Sequence, residues 1–404
     1  MKVLLCLLSD QHVPNLLSVH HFRPDRLVLV ESAEMRRKQA SNHFLSALKL
    51  GGLDFGDNCW IQHLEREDDL AAIRHAMQCA YAGCPGAEWI ANVTGGTKPM
   101  SIAAYEFFKA VGARLIYVNI PAPNTFLGLD GQAPETCDYR PTIHEFLAGY
   151  GFESRKTEED VRQAEIRARM WWDCARLIAA SDPAPRLLHF SGPREQTKKQ
   201  WDRARKRGLE MFPEQFGPAA NDVRDAIRAC FDLQASGDTL KGRLDKYAVE
   251  FLTGGWLEAF LFCLIERHAS SLNIWDTRLG ICPRKVGVSA DNEFDITFMR
   301  DYGLCMVECK SGAQEHDPDG GALYKIEAAL RQFRALRVRS YLATTSGNVL
   351  EGGKLKATIR NRADLYACRV LVADQIRELA RNPTSELMHR FFFEPQEGKA
   401  REAP

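Results

Sequence analysis

Residues 89–118 have the sequence WIANVTGGTKPMSIAAYEFFKAVGARLIYV, in which two apolar runs flank a glycine-rich turn and a helical pattern. The runs Trp89–Val93 and Arg114–Val118 have the length and β-branching of buried parallel strands. Upstream, the apolar runs Val3–Leu8 and Leu27–Glu31 continue the same rhythm of strand and helix. The sequence therefore predicts an N-terminal α/β domain with a doubly wound, Rossmann-like sheet.

The chain has 404 residues, of which 45% are hydrophobic and 26% are charged, so two globular domains are expected. Lys+Arg and Asp+Glu both number 53, which excludes a global basic field and an acidic disordered chain. The longest apolar run, Ala259–Ile265, is far too short to span a membrane. Twelve cysteines without a C-x-x-C pair indicate reduced thiols, and hence a cytoplasmic protein.

The pattern along the chain predicts four parts. Residues 1–150 form the Rossmann-like domain, 151–244 a helical linker or insert, 245–390 a second α/β domain, and 391–404 a flexible tail. The insert contains a basic run at 198–207. This run is either a solvated helix face or a surface that follows a phosphate backbone, and the sequence leaves both interpretations open.

Two polar loops of the first domain follow predicted strands, and the carboxyl ends of parallel strands share one edge of a sheet. The candidate ligand-binding residues are Ser9, Asp10, Gln11, Asn15, Thr94, Gly95, Gly96, Thr97 and Lys98. The paired glycines allow a tight turn, and the N-terminus of the following helix offers free N–H groups to an anion. Neither a Walker A loop nor a G-x-G-x-x-G motif is present, so the choice between a phosphate site and a plain turn stays open.

The second domain contains a sharper signal in two consecutive predicted strands. Asp295 lies in the first strand, Glu308 and Lys310 lie in the second, and Arg300–Gly303 forms the predicted hairpin turn. Period-2 alternation places Glu308 and Lys310 on one face, and the hairpin can bring Asp295 beside Glu308. Two adjacent carboxylates suit Mg²⁺ or Mn²⁺, and a lysine can offset charge that develops on a phosphate.

Two further carboxylates belong to this prediction. Glu258 interrupts an apolar helical pattern and is a possible third acidic contributor, and Glu293 is a possible alternate ligand. The competing interpretation is a surface ion pair between Glu308 and Lys310 on an ordinary hairpin. Carboxylates within otherwise apolar strands disfavour that interpretation, because unpaired buried charges are costly.

The first domain, with its T-G-G-T-K loop and the Ser9–Gln11 loop, resembles the CRISPR-associated Rossmann-fold (CARF) sensor domain. The array of Asp295, Glu308 and Lys310, with Glu258 upstream, resembles the core of PD-(D/E)xK nucleases, a restriction-endonuclease-like α/β fold. The pairing resembles the ancillary effectors of type III CRISPR systems, which are nucleases activated by cyclic oligoadenylate.

The resemblance implies a homodimer whose sensor domains share one pocket for cyclic tetra-adenylate, with the hexa-adenylate as the other ring to consider. It further implies an allosteric, metal-dependent endonuclease that cleaves DNA and/or RNA, as single strands or by nicking duplexes. It assigns catalysis to Asp295, Glu308, Lys310 and Glu258, and the metal to Asp295 and Glu308. It also suggests substrate contacts from Lys325 and Gln332 on the next helix.

Two alternatives remain at this point. The second domain could be a non-catalytic module of a ligand-binding regulatory protein. The protein could also be a small-molecule α/β enzyme that binds a nucleotide cofactor at Gly95 and Gly96, although no acidic ribose-binding residue stands at the usual spacing. A role for His316 at the border of the acidic site is a further hypothesis.

Overall fold

The computed structural model describes residues 1–119, 122–181, 187–287, 293–312, 323, 326 and 338–394. Within these residues the chain forms one seven-stranded sheet near the N-terminus and one five-stranded sheet in the C-terminal part. Helices pack against both sheets, so the predicted α/β fold class is confirmed.

The first sheet is built mainly from parallel strands that alternate with helices. Its strands are β1 (Lys2–Leu7), β2 (Arg26–Ser32), β3 (Cys59–Leu64), β4 (Glu88–Asn92), β5 (Arg114–Val118), β6 (Thr125–Gly128) and β7 (Glu135–Thr136). The helices of this region are α1 (Val13–Phe22), α2 (Ala33–Arg37), α3 (Ala40–Leu50), α4 (Leu70–Ala82), α5 (Lys98–Ala110) and α6 (Ile143–Gly149). In the order β3-β2-β1-β4-β5-β6-β7 the first five strands are parallel, and β6 pairs antiparallel with both β5 and β7; this is the predicted Rossmann-like arrangement.

Strand β1 lies at the point where the strand order reverses, between β2 and β4. Leu4 and Cys6 enter the core on one side of the sheet, whereas Val3, Leu5 and Leu7 enter the core on the other side. Burial on both faces explains why the strand is a continuous apolar run rather than an alternating one. The carboxyl ends of β1 and β4 open the crevice in which such sheets bind ligands.

The middle of the chain joins the C-terminal core. Its elements are β8 (Phe152–Ser154), α7 (Glu158–Met170), α8 (Trp172–Ala180), α9 (Arg194–Arg207), β9 (Leu209–Met211), α10 (Asn221–Phe231), β10 (Gln234–Ser236) and β11 (Thr239–Leu244). Thr157 caps the N-terminus of helix α7, since its hydroxyl accepts a hydrogen bond from the Asp160 amide at 3.1 Å. Trp172 and Ile178 of α8 belong to the same buried cluster as Phe298 of the second sheet.

The second sheet combines an antiparallel half with a parallel half. Its strands are β12 (Ile274–Ile281), β14 (Phe294–Arg300), β15 (Gly303–Lys310), β16 (Val338–Thr344) and β19 (Cys368–Leu371); short strands nearby are β13 (Pro283–Lys285), β17 (Leu350–Glu351) and β18 (Lys354–Leu355). The helices are α11 (Lys246–Glu250), α12 (Trp256–Arg267), α13 (Ala357–Leu365), α14 (Ala373–Arg381) and α15 (Ser385–Met388). The order is β12-β14-β15-β16-β19, with β15, β16 and β19 parallel.

The hairpin of β14 and β15 connects the two domains through packing. One face of each strand, with Phe298 and Val307, lies in the C-terminal core, whereas Met299 and Leu304 pack into the core beneath the first sheet. At the tip of the hairpin, the Tyr302 hydroxyl donates a hydrogen bond to the Cys137 carbonyl at 3.4 Å. The hairpin therefore belongs to both cores.

The helical segment Lys246–Arg267, which includes α11 and α12, is long and apolar enough to cross a membrane. However, 72% of its apolar window is buried inside the protein. This burial is typical of a central core helix and accounts for the apolar composition without a bilayer.

Candidate active site and ligand loops

The two strands that carry the predicted acidic residues pair as expected. Ile296 lies opposite Val307, and Arg300 lies opposite Gly303, so the predicted hairpin turn is confirmed. Asp301 and Tyr302 both have positive φ, as in a two-residue type I′ turn, which suits the twist of a tight hairpin. Continuing this register by one residue toward the start of β14 places Asp295 opposite Glu308.

Hydrogen bonds hold the side chains at this end of the hairpin. One Asp295 carboxylate oxygen accepts from the Cys309 amide at 2.7 Å, and the Lys310 ammonium donates to Glu308 Oε1 at 2.6 Å. Val307 and Cys309 point into the C-terminal core, so Glu308 and Lys310 share the opposite face, as the period-2 pattern predicts. The structure thus brings Asp295, Glu308 and Lys310 together.

Glu258 approaches this group from the first turn of α12. Burial raises the pKa of its carboxyl to about 8, and the negative charges of Asp295 and Glu250 act in the same direction, while Lys310 opposes them. A shift of this kind shows that Glu258 lies in the field of the strand carboxylates. Glu258 therefore lies within electrostatic reach of Asp295 and Lys310, and its part in catalysis stays a prediction.

Lys310 remains a cation at this site. Burial acts to lower its pKa, but the Glu308 carboxylate, in charge and hydrogen bond, more than offsets this effect, so the pKa of Lys310 is raised. A lysine with a raised pKa is protonated at neutral pH and cannot serve as a general base. Lys310 is instead suited to balancing negative charge.

The donor set fits a hard divalent cation. No group of three His, Cys, Asp or Glu side chains converges at metal-binding distance within the described ranges. Mg²⁺ commonly uses only one or two carboxylates and keeps several waters, which matches Asp295 and Glu308 as the protein ligands. Burial is the main cause of the raised pKa of Glu258, and the charges of Asp295 and Glu250 add to it; a cation at the site would oppose this charge contribution.

Gly254 sets the approach of α12 to the end of β15. It has a φ of +151°, and a Cβ atom at this position would lie 2.5 Å from the Ser311 hydroxyl. We expect Gly254→Ala to lower the free energy of unfolding by about 1–3 kcal/mol and to reduce nuclease activity, because a φ of +151° is strained for any residue with a Cβ atom and lies just before α12.

Thermal melting and a cleavage assay check this expectation. Gly347→Ala is the control, since a Cβ atom there would meet nothing within 4 Å. A Gly254→Ala protein that melts and cuts like the wild type would contradict the proposed role of this glycine.

The acidic site borders a cavity of about 330 Å³ whose lining the sequence did not reveal. Lys156, Arg167, Tyr247 and Glu250 line it together with Glu258. Lys156 donates to Glu293 at 2.6 Å and to the Gly280 carbonyl at 2.8 Å. Glu293, predicted as an alternate metal ligand, is thus exposed and paired with a lysine.

The loop after β1 is partly exposed and lies beside the loop after β4. The Ser9 hydroxyl accepts from the Gln11 amide at 3.3 Å, and Asp10 forms an ion pair with Lys38 at 2.6 Å. Ser9 and Asp10 line a cavity of about 560 Å³ that extends to Lys285 in β13. Gln11 and the loop after β4 are not part of the lining of this cavity, and ligand binding by Ser9, Asp10 and Gln11 stays a prediction.

Two predicted ligand residues have structural contacts instead. Asn15 is 1% exposed. Its side-chain amide donates to the Leu7 carbonyl at 2.8 Å, and its side-chain oxygen accepts from the side-chain amide of Asn92 at 3.0 Å. The Thr94 hydroxyl donates to Asn92 at 2.6 Å and accepts from the Val118 amide at 2.7 Å. These bonds tie β1, β4 and β5 together and give Asn15 and Thr94 a structural role. Ligand binding by these two residues stays a prediction.

The glycines of the second loop serve two different needs. Gly95 passes so close to β1 that an added Cβ atom would lie 2.0 Å from the Leu7 carbonyl oxygen, whereas Gly96 has a φ of +74°. Thr97 precedes the first turn of α5 and leaves the helix N-terminus without a side-chain cap. Lys98 is exposed in that first turn, with its ammonium available at the carboxyl edge of the sheet.

His12, next to the first loop, is 5% exposed and contacts the rings of Phe146 and Tyr150. Burial lowers its pKa to about 3, with the Glu145 carboxylate opposing this shift and His43 adding to it. The folded state therefore keeps His12 neutral, and below about pH 6.5 the unfolded state binds the additional proton. Stability must fall as the pH drops below that value.

We expect the free energy of unfolding to fall by about 2 kcal/mol more in the wild type than in His12→Phe between about pH 7.5 and about pH 5. Chemical denaturation of both proteins across this range measures the difference. Equal pH dependence in the two proteins would rule out a buried neutral His12.

The described residues leave several predictions open. The hypotheses for Lys325, Gln332 and His316 lie outside the described residues. The basic run at 198–207 forms most of α9, in which Ala204 is buried and the six cations of the run are exposed. This placement suits both interpretations of the run, which stays a prediction.

The fold and the acidic site define a class: a nuclease sheet joined to a Rossmann-like ligand-binding domain. Residues 3–146 match the family model described as "Card1 CARF domain", and residues 245–378 match "Card1-like, endonuclease domain". The chain therefore combines a CARF domain of the Card1 family with a Card1-like endonuclease domain, and the two matches together span more than half of the chain. The predicted family, fold and nuclease function are confirmed, and the alternative of a non-catalytic second domain is set aside.

Solved structures share the fold over nearly the whole chain. Can2 from Sulfobacillus thermosulfidooxidans, in complex with cyclic tetra-adenylate, has a TM-score of 0.67 at 19% identity and covers 97% of this chain and 99% of its own. Protein VC1899 from Vibrio cholerae has a TM-score of 0.75 at 16% identity, covering 96% and 98%. A type III CRISPR defence DNA nuclease activated by cyclic oligoadenylate has a TM-score of 0.51 at 17% identity, covering 90% and 51%. No curated protein sequence matches significantly.

Proposed function

We propose that the protein is a homodimeric endonuclease in which one cyclic oligoadenylate ring, bound by the loops after β1 and β4, switches on metal-dependent cutting at the acidic site. The observation that carries this proposal is the arrangement of Asp295, Glu308 and Lys310 at paired strand ends with Glu258 beside them. The substrate is DNA and/or RNA, as single strands or as nicked duplexes.

The proposed activator is cyclic tetra-adenylate, with the hexa-adenylate as the second ring to test. The complex of Can2 with cyclic tetra-adenylate supports this choice. The ring has two-fold symmetry, which suits a site shared across the axis of a dimer. Lys98, Thr97 and the uncapped amides of α5 provide positive charge and donors for the phosphates, and Ser9 and Gln11 flank them.

Asp295 and Glu308 would hold Mg²⁺ or Mn²⁺. When bound, this cation supplies positive charge to the transition state of phosphodiester hydrolysis and favours the ionisation of water. Lys310, protonated and bonded to Glu308, orients that carboxylate and offsets charge on the phosphate. Glu258, largely protonated without the cation, can give up its proton when the site gains positive charge.

The β14–β15 hairpin provides a physical route from the ring to the cut. The face that carries Glu308 and Lys310 also carries Leu304 and Met306, which pack against the N-terminal domain. A shift of that domain on ring binding would therefore move the same strands that hold the carboxylates. This is a coupling between two separate sites through one shared element.

The remaining parts of the proposal concern organisation. We propose a cytoplasmic protein without a membrane partner, divided into a sensor domain (1–150), a helical segment (151–244) and a nuclease domain (from residue 245). Burial of the Lys246–Arg267 helix and the absence of disulfides among the twelve cysteines support this view. Phe391 and Phe392 are buried in the C-terminal core, which corrects the predicted start of a tail at residue 391.

Titration calorimetry with cyclic tetra-adenylate and cyclic hexa-adenylate, together with light scattering, tests the sensor half. We expect one ring per two chains and a dimeric mass. A panel of single-stranded RNA, single-stranded DNA and supercoiled plasmid, each with Mg²⁺ or Mn²⁺, then identifies the substrate and the metal. One ring per single chain, or a monomer that is fully activated, would contradict the shared pocket.

A further inference from the structure

The cavity of about 330 Å³ beside Glu258 has one wall that comes from the middle segment of the chain. Helix α7 contributes Arg167 to this wall, and beside it α11 of the second domain contributes Tyr247. Arg167 lies 91 positions before Glu258 in the sequence, yet it borders the same space as that carboxyl group. The middle segment thus reaches the active site.

Arg167 differs from the other arginines of its helix. Arg162 pairs with Glu159 at 2.9 Å, and Arg169 pairs with Glu266 at 2.6 Å. For Arg167, by contrast, no carboxylate partner lies within 4.0 Å among the residues that the structure describes. Its guanidinium carbon instead lies 3.8 Å from the centre of the Tyr247 ring.

A guanidinium that is partly buried, in contact with the face of an aromatic ring and without a carboxylate partner among the described residues is suited to binding an anion. Stacking fixes the plane of the group, so less side-chain entropy is lost when its N–H donors meet a phosphate. Bidentate bonds from arginine to phosphate are among the stronger hydrogen bonds in proteins. Lys156 in the same cavity is a weaker candidate, because Glu293 already neutralises it.

We infer that Arg167 binds a backbone phosphate of the nucleic-acid substrate next to the bond that is cut, and that Tyr247 positions the guanidinium. This inference rests on the proposed function, since it adds a substrate contact to the same site. The carboxylates that line the cavity disfavour a phosphate in the absence of a cation, so the contact requires the metal-loaded site.

Fluorescence anisotropy tests the contact with a labelled single-stranded DNA of about 20 nucleotides and a duplex of the same sequence. Cutting is prevented by replacing Mg²⁺ with Ca²⁺, which binds oxygen ligands of the same kind, in saturating cyclic tetra-adenylate, so both proposed metal ligands stay in place. We expect Arg167→Ala to weaken binding about tenfold or more and to lower the salt dependence of binding to the single strand by about 0.7 in log–log slope. Arg167→Lys should recover part of the affinity, because it keeps the charge without the planar fork.

Arg162→Ala on the same helix is the matched control, since its side chain is exposed and paired with Glu159. Binding and salt slope of Arg167→Ala that equal those of Arg162→Ala would overturn the inference. The cleavage activity of the wild type and of Arg167→Ala distinguishes failure of the proposed function from failure of the phosphate contact. If the wild type does not cut at all, the proposed function fails; if the wild type cuts and Arg167→Ala keeps its KM, only the phosphate contact fails.

Discussion

Glu308→Ala should lower the rate of cutting by about a thousandfold or more while it leaves the binding of cyclic oligoadenylate unchanged. The carboxylate is one of two protein ligands proposed for the cation, and a metal clamp contributes several kcal/mol of transition-state stabilisation. Asp295→Ala should have an effect of the same order, because this carboxylate occupies the opposite strand of the hairpin. Initial rates of cleavage and calorimetry with the ring measure the two quantities.

The Glu308→Gln and Glu351→Ala proteins make this prediction specific. Glu308→Gln keeps the shape and an acceptor for Lys310 but loses the charge, so it should also be inactive. Glu351 lies exposed in β17, and its replacement should leave cutting unchanged. Normal turnover by either Glu308 variant would show that the metal site lies elsewhere.

Lys98→Ala should raise the concentration of activator needed for half-maximal cutting by about a hundredfold or more. A charged hydrogen bond contributes about 1.5 kcal/mol or more, which is about tenfold in affinity. A ring shared by two protomers meets this lysine twice, so the factor is squared. At saturating activator, cutting should recover, because the acidic site is intact.

Lys109→Ala is the control for this prediction, since Lys109 lies in the last turn of the same helix, away from its N-terminus. Titration of cleavage with cyclic tetra-adenylate compares the three proteins. Activation of Lys98→Ala at the wild-type concentration of ring would remove Lys98 from the sensor site.

The acidic site could be predicted because its signals are local. A hairpin of known turn length fixes which residues face each other, so Asp295 and Glu308 could be paired from the sequence. Glu258 could be singled out because it is a charged residue within an apolar helix, and burying an unpaired charge is energetically costly. A residue that is kept despite this cost is a candidate for a functional role. The two loops at the carboxyl edge followed from the order of strand and helix alone.

Other features depend on packing and could not be predicted. A polar residue after a strand can face either a ligand or a neighbouring backbone group, and Asn15 and Thr94 do the latter. Arg167 and Tyr247 meet only because α7 packs beside α11 and α12. Arg167 differs from Arg162 and Arg169 of the same helix in having no carboxylate partner among the described residues. This difference cannot be read from the sequence, because it depends on which side chains are in contact.

The central claim is that binding of the ring controls the acidic site. The most direct test is the initial rate of cutting of supercoiled plasmid by the wild type in Mn²⁺ or Mg²⁺, with and without cyclic tetra-adenylate. We predict negligible cutting without the ring and rapid cutting with it. Glu308→Ala should abolish the rapid cutting. Equal rates with and without a ring that calorimetry shows to be bound would contradict the account.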